Sequence, residues 1–116
     1  MEYREWSGKP RLAPFSWEDG QNVLVVTDLF AAKDYHLHVD EPFAVMALCP
    51  QHRFRLKTAF PERYHTYVRT IADDRSEYMT WLMSASSILS ELGRWREGTG
   101  DGPAWPLKNV ELAPPN

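Results

Sequence analysis

The chain predicts an α+β domain, with a small antiparallel sheet from the N-terminal half and two C-terminal helices packed across it; an all-α domain is the alternative. Three observations predict it. Short runs of β-branched and aromatic residues, bounded by Asp-Gly and Pro signals, fill the first half. Apolar residues then recur at helical spacing from Pro61 onward. A length of 116 residues suits one hydrophobic core. Residues 1–97 are expected to form that domain, led by an extended arm, and residues 98–116 to form a Gly/Pro-rich tail or clasp anchored by Trp105 and Leu107.

The first eighteen residues hold Gly8, Pro10 and Pro14 among Tyr3, Trp6, Phe15 and Trp17, too broken for a helix and too aromatic for a disordered leader. Asp19-Gly20 is a turn signal, so residues 12–18 and 21–27 read as a hairpin. A rival reading takes Ser16-Trp17-Glu18-Asp19 as a cap and residues 17–35 as one helix. Tyr35-His36-Leu37-His38-Val39 alternates like a half-buried strand, and Asp40-Glu41-Pro42 then breaks the chain. Phe43 to Cys49 is apolar throughout and fits a central strand or a short buried helix. Arg53-Phe54-Arg55-Leu56-Lys57 places two apolar side chains on one face of a strand and three cations on the other.

Pro61 suits the first position of a helix, whose stripe is Tyr64, Tyr67, Val68, Ile71 and Ala72. Asp74-Arg75-Ser76-Glu77 caps a second helix that runs to about Arg96 on a stripe of Trp81, Ala85, Ile88, Leu92 and Trp95. Thr80, Ser84 and Ser87 lie beside that stripe. They are small enough to admit another backbone, which offers a homodimer surface against the plainer reading of packing within the domain.

Hydrophobic residues at 43% and charged residues at 25% match a globular protein and exclude a fibre, a coiled coil or an acidic disordered tail. No apolar run reaches the length of a bilayer span, and the start of the chain lacks the layout of a signal peptide. A single cysteine forms no internal disulfide. These features predict a cytoplasmic protein with no membrane contact.

Charge is segregated along the chain. Glu18, Asp19, Asp28, Asp34, Asp40 and Glu41 face a single Lys33, whereas Arg53, Arg55, Lys57, Arg63 and Arg69 face a single Glu62. His36, His38, Cys49 and His52 have the chemistry of zinc ligands, set against ordinary surface histidines and a buried cysteine. Arg53, Arg55 and Lys57 form a ladder suited to successive phosphates, but the aromatic ring of that strand alternates away from it and the net charge is −3, so direct nucleic-acid binding is disfavoured. Neither a Gly-rich phosphate loop nor a nucleophile elbow occurs, and neighbouring carboxylates seldom face one substrate.

The expectation is therefore a protein without catalysis or cofactor, an inhibitor or adaptor that covers a basic, nucleic-acid-handling surface of a larger protein or complex. By analogy of class, it is of the immunity, anti-restriction or phage anti-CRISPR kind. Asp28, Asp34, Tyr35, Asp40, Glu41 and Trp105 are its expected contacts. The alternative is a zinc-binding regulator or small metalloenzyme on the His/Cys set.

Overall fold

In the computed structural model, which describes residues 3–91 and 105–113, Val23 and Val25 are wholly buried while Asn22 and Leu24 remain partly exposed. This two-residue period makes Asn22–Val25 a strand with one packed face, β2 of the sheet. Arg53–Leu56 repeats the pattern, with Phe54 and Leu56 buried, as β3. Arg4–Trp6 forms β1 and Val110–Leu112 forms β4, completing a sheet in the order β1-β2-β3-β4.

Every pairing is parallel. Glu5 lies beside Leu24, Leu24 beside Arg55, and Arg55 beside Glu111. This corrects the expected α+β fold with its antiparallel sheet: the molecule is of α/β type, and its fourth strand comes from the C-terminal segment. The one-sided alternation of β2 and β3 normally marks an antiparallel sheet, because parallel sheets are usually covered on both faces and apolar on both. Here the described residues leave one face uncovered, so a parallel sheet carries an antiparallel signature.

The other differences have local causes. Asp19-Gly20 does turn the chain, with Gly20 at φ +87°, but it leads from a 3-10 turn over Ala13–Ser16 into β2, so neither the hairpin nor the long 17–35 helix forms. Tyr35–Leu37 is a 3-10 turn and not a strand. Asp40, Glu41 and Pro42 start a helix and do not break the chain; Pro42 tolerates the first turn, where backbone N–H groups have no intrahelical acceptor. That helix, α1, spans Asp40–Ala47 and settles the apolar run as helical. Pro61 opens α2, Pro61–Asp73, as its sequence indicates. Asp74 caps α3, Arg75–Glu91, by accepting the backbone N–H groups of Ser76 and Glu77. The expected extension to Arg96, with Leu92 and Trp95, lies outside the described residues.

Strands in sequence order step the same way at every crossover, and crossovers of one hand place their helices on one face. The burial pattern agrees. Trp6, Val23, Val25, Phe54 and Leu56 meet Phe43, Val45, Ile71, Trp81, Ala85 and Ile88 in one apolar cluster. Phe30 is the hub of its aromatic part, with the rings of Tyr35, Phe43, Tyr64 and Tyr67 at 5.5–6.0 Å. Trp105 stacks on Phe43 at 5.8 Å and meets Trp81 edge-on at 5.0 Å.

Asn109 fastens the C-terminal segment to this core. Its side-chain amide donates to the carbonyls of Met46, Cys49 and His52 at 2.8, 3.0 and 3.2 Å, covering the end of α1 and the turn into β3. Its own carbonyl accepts the N–H of Phe54 at 2.8 Å. Asn109→Ala removes these bonds, although the Met46 and Cys49 carbonyls keep the backbone N–H groups of Cys49 and His52, and in urea denaturation it is expected to remove about 1–3 kcal/mol of stability. Asn109→Asp, which sets a carboxylate against three carbonyls, is expected to cost more. A loss below about 0.5 kcal/mol for Asn109→Ala, the range of an ordinary surface change, overturns the role of this clasp.

Candidate functional site

Two of the four expected acidic contacts, Asp28 and Asp40, are used inside the fold. Asp28, three residues beyond β2, accepts the backbone N–H groups of Phe30 and Ala59 at 3.0 and 2.9 Å, lacing together the segments that follow β2 and β3. Asp40 accepts the phenolic hydroxyl of Tyr67 at 2.7 Å. Tyr35 packs on Phe30, and Trp105 lies among Phe43, Tyr67 and Trp81. Asp34 and Glu41 are the two that stay exposed. The His38 ring N–H, 3.0 Å away, holds the Asp34 carboxyl below the usual carboxylate range, while Glu41 lies 3.8 Å from Arg11. Of the four expected acidic contacts, only these two partly neutralised carboxylates reach solvent freely, in place of a continuous patch.

The zinc candidates separate in the same way. His36 and His38 are exposed, whereas Cys49 and His52 are fully buried. His52 has one backbone partner on each ring nitrogen: the Gln21 N–H donates to Nδ1 at 3.2 Å, and Nε2 lies 3.0 Å from the Pro14 carbonyl. A carbonyl only accepts, so the ring is held as the neutral Nε2–H tautomer. Among the described residues, no three His, Cys, Asp or Glu side chains gather where they could hold a metal ion.

Arg63, one of the cations of the basic segment, donates to the carbonyls of Phe30, Ala31 and Ala32 and lies over the Phe60 ring at 4.3 Å. It holds the β2–α1 connection against the start of α2. The ladder itself keeps its exposure. Arg53 and Arg55 of β3, and Lys57 just beyond its end, fall two residues apart on the face of the sheet opposite the helices.

Register and alternation bring further residues to that face: Tyr3 and Glu5 from β1, Asn22, Leu24 and Val26 along β2, and Glu111 from β4. Arg55 ties it together. Its Nε donates to Glu111 at 3.0 Å, and its guanidinium lies 5.4 Å from the centre of the Tyr3 ring. Val26 is 48% exposed beside the half-buried Leu24. The face thus has an apolar and aromatic centre, cations along one strand, and Glu5 and Glu111 on the outer strands. Tyr3, Glu5 and Glu111 were not legible as site residues, because the sequence does not say which strands are neighbours.

Sequential strand order also leaves the sheet without a switch point, the place where neighbouring crossovers diverge and open the usual ligand crevice of α/β proteins. Among the described residues no helix is long and apolar enough to cross a membrane. Comparison with protein-family models, with curated proteins and with solved structures finds no match.

Two side chains give direct tests. Burial, reinforced by the Asp40 charge and the hydrogen bond to it, pushes the Tyr67 phenol above its ordinary value of 10. The unfolded chain therefore loses this proton first, so the contribution of Tyr67 is intact below about pH 10 and falls above it by up to about 1.4 kcal/mol per pH unit. Urea denaturation from about pH 9 to 11.5 is expected to show that fall, and Tyr67→Phe to flatten it; an equal slope in both proteins overturns the assignment. For His52, nitrogen NMR of the ring is expected to find a proton on Nε2 and a bare Nδ1. The reverse tautomer contradicts the two contacts.

Proposed function

We propose that this chain is a non-enzymatic binding protein of the cytoplasm, an inhibitor or adaptor that acts by covering a surface of a larger protein. The observation that carries the reading is the uncovered face of an all-parallel sheet. Such sheets are ordinarily buried on both sides, so a face that the described residues leave to solvent, with Leu24 and Val26 on it, is suited to being covered by a partner. Its composition fits a protein partner. Tyr and Arg are favoured at protein interfaces, and Glu5 and Glu111 beside the cations suit a surface of mixed sign better than a uniform polyanion. Docking here displaces a competitor without any reacting group. The acidic surface first read as the contact is a weaker basis, since Asp28 and Asp40 are occupied internally.

A second reading is favoured by one observation. Arg53, Arg55 and Lys57 reach solvent together on the face that also holds the Tyr3 ring, as a contact to the backbone of a single-stranded nucleic acid would need.

One pair of substitutions separates the readings. Val26→Asp with Arg53→Glu alters only exposed side chains and is expected to leave stability within about 1 kcal/mol of the parent. Quantitative affinity capture from the host, with parent and variant as baits, is expected to show one protein at least tenfold depleted on the variant. Equal recovery of every captured protein overturns the reading. Titration with a fluorescent oligothymidylate is expected to show no salt-dependent binding; a steep salt slope, lost in the variant, moves the function to nucleic acid.

A further inference from the structure

Residues 7–21, which join β1 to β2, run against the core with a single 3-10 turn at Ala13–Ser16 and no α-helix. Pro14 is buried, and Leu12, Phe15 and Trp17 pack partly buried on the apolar cluster. A strap of this kind makes few hydrogen bonds of its own, so its hold depends on side chains of other elements. Near its start, Arg11 pairs with Glu91 of α3 and lies 3.8 Å from Glu41 of α1. Near its end, the His52 ring donates from Nε2 to the Pro14 carbonyl at 3.0 Å and accepts the Gln21 N–H on Nδ1 at 3.2 Å. One imidazole thus fastens the strap at two points seven residues apart.

We infer that His52 is an acid-sensitive latch, whose protonation releases residues 12–21 from the core while the sheet stays folded. A neutral imidazole has one donor and one acceptor, and the strap supplies one acceptor and one donor to match. A second proton goes to Nδ1, where it points at the Gln21 N–H. Donor then faces donor, and the bond is lost.

The added charge has no shelter in the closed junction. His52 is wholly buried, with the rings of Trp17 and Phe54 at 5.8 and 6.2 Å, and among the described residues no carboxylate forms an ion pair with it. Of the charged groups on the segments around it, Arg4 lies over the Trp17 ring at 4.4 Å and Arg53 follows His52 in the chain, both of the wrong sign. Glu18 and Asp19, which follow Trp17, are exposed, as is Lys108 beside the Asn109 clasp. Cys49, whose carbonyl accepts the His52 backbone N–H, is buried. With both ring nitrogens committed to backbone, neither is left for a metal ion.

An imidazole in water takes its second proton near about pH 6.5. Opening the strap returns the ring to water, so the open form holds a proton for which the closed junction has no place, and the balance moves toward opening as the pH falls below that value. The other fastening responds later. The hydrogen bond from Arg11 holds the Glu91 carboxyl below the usual carboxylate range, so that pair keeps its charges at pH 5. Release bares Leu12, Phe15 and Trp17, which neutral pH keeps packed. None of this depends on what binds the open sheet face.

Hydrogen exchange of the full chain, followed by NMR, reads the latch at the Gln21 amide, whose proton is the one bonded to Nδ1. Its protection factor is expected to fall at least tenfold between pH 7 and pH 5. The Val26 and Phe54 amides, bonded within the sheet to the carbonyls of Trp6 and Asn109, are expected to remain at least tenfold better protected than Gln21 at pH 5. His52→Gln, which offers an N–H and a carbonyl but does not titrate, is expected to hold Gln21 protection within threefold over the same range. The parent alone can overturn the inference, either by a Gln21 protection factor that does not change with pH or by a fall that Val26 and Phe54 share to the same level, which would be unfolding of the whole domain. A folded His52→Gln protein that keeps the full pH dependence overturns it as well.

Discussion

A parallel sheet wound in sequence order keeps its connections on one side, and the rest of this molecule follows from that constraint. The helices and the aromatic cluster accumulate over Val23, Val25, Phe54 and Leu56. Among the described residues no helix or strand covers the opposite face, because no crossover reverses direction to bring one there. The two faces therefore differ in chemistry along the same strands, with each residue of β2 and β3 assigned by parity alone. Division of labour between a closed layer and an open one is thus a property of the topology more than of any single side chain.

Polar residues inside the closed layer act as fasteners for backbone. Asp28 joins the segments that follow two neighbouring strands, Arg63 gathers three carbonyls, Asn109 gathers three more, and His52 bridges two segments that precede β2. Each adds a side-chain partner to backbone groups of short, irregular connections. Two buried groups depart from this economy: the indole N–H groups of Trp81 and Trp105 have no hydrogen-bond acceptor, and their rings meet edge to face. The aromatic faces around them supply weaker electrostatic compensation.

Local structure was legible where one signal acted alone. Pro61 and Asp74 mark helix starts because they work through the first turn of their own helices, and the wet and dry sides of β3 follow from alternation. The apolar run at Phe43–Cys49 held two readings, and the carboxylates before it, which favour a helix start, decide between them. Strand direction was hidden because alternation reports only that one face is wet. The fourth strand was hidden by its shortness and its proline-rich neighbourhood. The site was half legible: the cations of β3 are adjacent in sequence, but their neighbours Tyr3, Glu5 and Glu111 are brought there by pairing across long separations. The acidic residues misled for the converse reason, since a carboxylate that caps backbone in its own fold looks the same in sequence as one that awaits a partner.

The place of β4 in the chain sets an order of events during synthesis. Residues up to the end of α3 emerge before Asn109, so for that interval β3 is an outer strand with a free row of donors and acceptors, and the carbonyls of Met46, Cys49 and His52 are without the side chain that later covers them. A nascent edge of this kind is a template for pairing with another chain. Arg53, Arg55 and Lys57 stand on that strand and repel a second copy of it. The same charges that line the finished surface thus act earlier as gatekeepers, guarding the half-made sheet until its last strand arrives.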